Sequence, residues 1–134
     1  MTSTGNVTIL LVDDDALFVG SVAETLQAAD YTVETAASGG EAFATMRTCH
    51  PSLIMLNIAL PDIAGTAFCH IVRQRLGGVP IILLTLQGVT RTAMSALDAG
   101  ADDCVNISCD ARELLARVRA VLRRAPTIGP AFQG

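Results

Sequence analysis

The segment Val7-Thr8-Ile9-Leu10-Leu11-Val12 is an almost unbroken apolar run that stops abruptly at Asp13-Asp14-Asp15. It is far too short to span a membrane, and it lacks the in–out alternation of a strand with one wet face. It fits a β-strand covered on both sides, as in parallel sheets packed between helices. Leu53-Ile54-Met55-Leu56 and Ile81-Ile82-Leu83-Leu84-Thr85 repeat the pattern.

Helical spacing fills the intervals. Phe18, Val22, Leu26 and Ala29 predict a helix over 16–29, which Asp30 breaks. Residues 31–35 read as a short second strand. Ser38 is placed to cap a helix over 39–48, with Ala42, Phe43 and Met46 on its apolar face. The third strand ends at Asn57, and a loop with Pro61 and Gly65 follows. A helix over 66–76 turns Phe68, Ile71 and Val72 inward. The fourth strand is 81–85, a fourth helix covers 90–99 and stops at Gly100, and a short strand covers 104–106. Asp110 and Glu113 have capping-box spacing before Leu114, Leu115, Val118, Val121 and Leu122.

Five strand–helix units imply an α/β fold: a doubly wound parallel sheet, right-handed crossovers and helices on both faces. Residues 7–124 form this domain. A polar tail, 1–6, precedes it, and a Pro/Gly-rich, linker-like tail, 125–134, follows. Function in such sheets sits beyond the carboxyl ends of the strands. The residues expected there are the acidic triple, Asn57, Thr85 and the stretch Asn106 to Cys109.

Composition narrows the chemistry. The net charge is −4, and all nine basic residues are Arg. Schiff-base and P-loop lysine chemistry are therefore excluded. An acidic domain is a poor direct ligand for nucleic acid. The first residues lack the basic and apolar regions of a signal peptide, and no apolar run is long enough for a membrane span, so a cytoplasmic protein is expected. Cys49, Cys69, Cys104 and Cys109 form no CxxC and read as free thiols. The ends of their helices point to opposite edges of the sheet, which argues against Cys49-His50 and Cys69-His70 sharing a zinc ion.

Ile9 to Asp15, Pro51 to Gly65, Pro80 to Thr85 and Gly100 to Arg124 together resemble the receiver domain of response regulators. The likeness is greatest to receivers of winged-helix transcription regulators of the OmpR/PhoB type. It implies a flavodoxin-like (βα)5 sheet of order 2-1-3-4-5. It also implies a phosphoacceptor Asp after strand three, an acid pair for Mg²⁺ after strand one, and a hydroxyl after strand four. A Lys followed by a cis-Pro would close strand five. Asp13 and Asp14 occupy the acid-pair positions and Thr85 the hydroxyl position. The acceptor position holds Asn57. The switch aromatic becomes Cys104, the Lys becomes Ile107 and the Pro becomes Ser108.

These departures remove the chemistry. An amide is a very poor nucleophile towards phosphorus. Asn57 also brings no negative charge to Mg²⁺, so no metal is expected beyond weak Mg²⁺ at Asp13 and Asp14. Ile107 cannot stabilise a moving phosphoryl group. The expectation is an atypical receiver, not an enzyme and without cofactor. It would act independently of phosphorylation as a regulatory and dimerisation module beside a DNA-binding output domain outside this chain. In the family, acids on helix four and strand five pair with bases on helix five across a two-fold axis. Asp98, Asp102, Asp103, Glu113, Arg117, Arg119 and Arg124 would form that homodimer face here, although Thr92 and Ala93 stand where the family often carries charges. Three alternatives stay open: a small-molecule sensor, a phosphoacceptor using Asp14 or Ser108, and a protein–protein adaptor.

Overall fold

The computed structural model describes residues 7–86 and 90–124. Both expected tails, 1–6 and 125–134, lie outside the described residues. Five strands alternate with five helices: β1 Thr8–Val12, α1 Ala16–Ala28, β2 Thr32–Ala36, α2 Gly39–Cys49, β3 Leu53–Asn57, α3 Gly65–Leu76, β4 Ile81–Thr85, α4 Arg91–Asp98, β5 Asp103–Asn106 and α5 Ala111–Arg124. The strands form one parallel sheet of order β2-β1-β3-β4-β5. This is the expected doubly wound fold, with most element boundaries moved by only a residue or so.

Side-chain alternation along the central strands builds two cores. Leu10, Val12, Ile54, Leu56, Ile81 and Leu83 pack against Ala42 and Met46 of α2, Phe68 and Val72 of α3, and Ala96 of α4. Ile9, Leu11, Leu53, Met55, Ile82 and Leu84 pack against Val22 and Leu26 of α1 and Leu114, Val118 and Val121 of α5. Because both faces are covered, β1, β3 and β4 show no alternation in sequence. Edge strand β2 carries Glu34 and Thr35 exposed, which discourages pairing with another chain.

Local chemistry sets the helix ends. Asp15 accepts the backbone N–H groups of Leu17 and Phe18 and caps α1. Ser38 and Thr90 cap α2 and α4 in the same way. Asp110 accepts from Glu113 N–H at 2.9 Å. The reciprocal half of a capping box is replaced, because the Glu113 carboxylate bonds Arg117 instead.

Two expectations on helix faces and one on a strand boundary are corrected. In α3 the buried partner of Phe68 and Val72 is Cys69, whereas Ile71 is only half-buried. Ala93, at a position where the family often carries a charge, is fully buried. Tyr31 is buried but precedes β2 rather than opening it.

Candidate functional site

The carboxyl ends of β1, β3, β4 and β5 converge on one cleft. Asp13, Asp14, Asn57, Thr85 and Ile107 line it, whereas Asn106 and Cys109 of the expected stretch line a neighbouring pocket. The cleft has a volume of about 580 Å³. Among the described residues, Asp15, Phe18, Ile58, Ala59, Leu84, Leu86, Thr90 and Thr92 also line it.

The polar end is organised around Asp13, which is only 4% exposed. Its Oδ1 accepts the Asn57 side-chain amide at 3.0 Å and the Asp15 backbone N–H at 3.0 Å. The Asn57 carbonyl oxygen turns the other way and accepts Ala59 N–H at 2.8 Å. This orientation satisfies both ends of the amide, and flipping it would set oxygen against carboxylate. The amide therefore holds Asp13 by a charge-assisted hydrogen bond. Asp14 is exposed.

Thr85 is buried, and its hydroxyl oxygen lies 3.9 Å from the Cys104 thiol, within the wide range of a sulfur hydrogen bond. The Ile107 backbone N–H donates to the Thr85 carbonyl at 2.7 Å. The Asn106 side-chain oxygen accepts both the backbone N–H and the hydroxyl of Ser108, at 2.9 and 2.6 Å. That local turn shapes the chain beyond β5. The Ile107 side chain packs on the core shared with α1 and α5.

Two anchors were not foreseen from sequence. Asp62 accepts Gly39 N–H and Gly40 N–H at 2.9 and 3.0 Å, pinning the loop after Asn57 to the start of α2. These backbone donors hold its carboxyl below the usual range. A side chain on Gly39 would collide with Ile63 in the same loop. On the opposite edge, Arg73 donates to the carbonyls of Gly77, Val79 and Gly100 and to Asp102. Gly100 has φ of 129°, and a Cβ there would strike the Arg73 stem. The Asp62 bonds to Gly39 and Gly40 and the Arg73 bonds to Gly100 and Asp102 each join residues more than twenty positions apart, so no sequence window reveals them.

The expected dimer-face residues divide in their placement. Asp103 and Glu113 both converge on Arg117, at 3.2 and 3.1 Å within one chain. Their contacts raise the guanidinium pKa further. Asp102 lies beside them but is engaged by Arg73 and the Ile81 N–H. A shallow patch includes Asp102, Asp103, Glu113, Arg117 and Arg124. Asp98 and Arg119 are exposed but do not line that patch. Among the described residues, no three His, Cys, Asp or Glu side chains are grouped to hold a metal ion. No described helix is long and apolar enough to cross a membrane.

Residues 9–119 match the response regulator receiver domain family. The chain belongs to that family. It is 34% identical over 118 residues to the probable transcriptional regulatory protein TcrX of Mycobacterium tuberculosis, covering 88% of this chain and 50% of the relative. The DNA-binding dual master transcriptional regulator RpaA of Synechocystis is 37% identical over 122 residues, covering 90% of this chain and 51% of the relative. The chain thus spans about half the length of the curated relatives it matches. A response regulator from Chloroflexus aurantiacus described as putative superposes with a TM-score of 0.82 at 35% identity, covering 87% of this chain and 98% of that one. The BeF3-activated receiver domain of Klebsiella pneumoniae RstA gives 0.81 at 31% identity, covering 87% and 99%.

Proposed function

We propose that this receiver domain regulates without accepting a phosphoryl group, as a dimerisation module working beside a DNA-binding output domain. The observation that carries this reading is the hydrogen bond from Asn57 to Asp13. At the position where a nucleophilic carboxylate is needed, the chain presents an amide whose hydrogens face the acid. Among the described residues that line the cleft, no basic side chain replaces the ammonium missing at Ile107. Ser108, an alternative acceptor, has its hydroxyl proton directed to Asn106. Asp14 is the other alternative, and it is exposed to solvent.

The names of the relatives support a regulatory rather than an enzymatic role, and transcription as the process. The reading also implies a cytoplasmic protein. For the dimer, the mixed acids and bases on β5 and α5 offer a self-complementary surface. Asp103, Glu113 and Arg117 already pair within one chain, so a two-fold contact would extend an existing network.

The test combines intact-mass spectrometry and sedimentation. The chain is incubated with acetyl phosphate and Mg²⁺, then sedimented over a concentration series with and without beryllofluoride. No phosphoryl adduct and a dimer indifferent to beryllofluoride are expected. An adduct on any residue, or dimerisation only with beryllofluoride, would overturn the reading.

A further inference from the structure

Building on the reading that this cleft takes no phosphoryl group, we infer that it binds a small organic cation: an ammonium group carried on an apolar body. The cleft volume of about 580 Å³ falls within the roughly 300–1,000 Å³ typical of small-molecule pockets. One end carries the carboxylates of Asp13 and Asp14, and the walls are Phe18, Leu84, Leu86 and Ile107. No basic side chain lies among the described lining residues.

This distribution discriminates between ligand classes. An anion would meet carboxylates and no compensating cation. A neutral apolar molecule would cover the walls but desolvate the acids without replacing their hydration. A divalent metal requires several oxygen ligands. Asn57 instead turns its N–H₂ towards Asp13 and gives its oxygen to Ala59. That is the opposite polarity from a metal ligand.

An ammonium fits what remains. Among the described residues, both hydrogen bonds accepted by the Asp13 carboxylate fall on Oδ1. Oδ2 and the Asp14 carboxylate are left as acceptors. Low-dielectric walls strengthen the attraction between charges. Leu86, 75% exposed at the cleft, offers apolar surface that the ligand body would cover.

The test uses the ¹⁵N-labelled full chain at neutral pH and three probes of one length: n-octylammonium, octanoate and 1-octanol. Octylammonium is expected to give saturable amide shifts around Asn57, Ala59, Thr85 and Ile107, with much weaker effects from the other two. Ile107→Lys places a competing ammonium in the cleft and should weaken binding roughly tenfold or more. Asp14→Asn, an exposed change that leaves the core intact, should weaken it a few-fold. Equal binding of octanol or octanoate, no saturable shift, displacement by equimolar Mg²⁺, or indifference of binding to Asp14→Asn would overturn the assignment. Phosphoryl transfer from acetyl phosphate would instead defeat the underlying reading. No transfer and no octylammonium binding would defeat the ligand class alone.

Discussion

The Asn57 side-chain amide donates to Asp13 Oδ1 at 3.0 Å, across the tips of β3 and β1. In an acid-pair site two carboxylates at these positions would repel each other unless a cation lay between them. Here the Asn57 amide and the Asp15 backbone N–H supply hydrogen-bond donors to the buried acid from within the chain.

Asn57→Asp should therefore be destabilising, even though it restores the family's acceptor residue. The variant loses a charge-assisted hydrogen bond and sets a second carboxylate against Asp13. A loss of about 2 kcal/mol at pH 7 is expected. Crowding raises the pKa of one carboxylate in the folded state above its unfolded value. The deficit should thus shrink as pH falls below that raised value, and millimolar Mg²⁺ should also reduce it. Urea unfolding with and without Mg²⁺ measures both effects. A variant as stable as the parent would show that the bond contributes nothing.

Arg73 should be a larger determinant of stability than its half-exposed position suggests. Its guanidinium joins the carbonyls of Gly77 and Val79, just beyond α3, to the Gly100 carbonyl and Asp102 between α4 and β5. Arg73→Ala is expected to cost about 2–4 kcal/mol, because partly buried carbonyls lose a charged donor. Asp102→Asn should cost under about 1 kcal/mol, since an amide oxygen can still accept from Ile81 N–H. Denaturant melts of the two variants check the order. Equal losses would mean that the ion pair, not the carbonyl contacts, dominates.

The sheet was legible because each central strand is a short apolar run and each helix has its own periodicity. Asp13, Asn57, Thr85 and Ile107 were legible as neighbours because each ends a strand or follows one, and parallel strands end on the same side. The orientation of the Asn57 amide was not, since it depends on Ala59 N–H and Asp13 together. Asp62 and Arg73 escaped notice for a related reason. Asp62 reaches backbone groups and Arg73 reaches Gly100 and Asp102 far along the chain, and hydrophobic patterning reports burial rather than hydrogen-bond partners. Cys69 shows the limit within a helix: its spacing with Phe68 and Val72 fits the buried stripe as well as that of Ile71.

Cys69 should be the slowest thiol to react. Burial pushes its pKa up to about 11, with Asp102 adding to the rise and Arg73 opposing it. At pH 8 almost none of it is thiolate, and the thiolate is the nucleophile. Burial raises Cys49 and Cys109 as well, but both are half-buried rather than enclosed. A time course with N-ethylmaleimide and peptide mapping should label Cys69 last, with the difference abolished in urea. Labelling of Cys69 as fast as Cys49 would show that α3 opens readily.

Asp62 gives the fold a specific acid sensitivity. Backbone N–H groups of Gly39 and Gly40 favour its charged form and lower its pKa in the folded state. An unfolded aspartate titrates near ~3.9. The stabilisation is therefore fully present above that value and is lost as pH falls through the lower folded pKa. Asp62→Ala removes the acceptor at every pH. The stability gap between parent and variant should be flat from neutral pH down to about 5 and then close in acid. Urea unfolding at stepped pH values measures the gap. A gap that widens towards acid would mean that the carboxylate is not what holds the loop after Asn57 against α2.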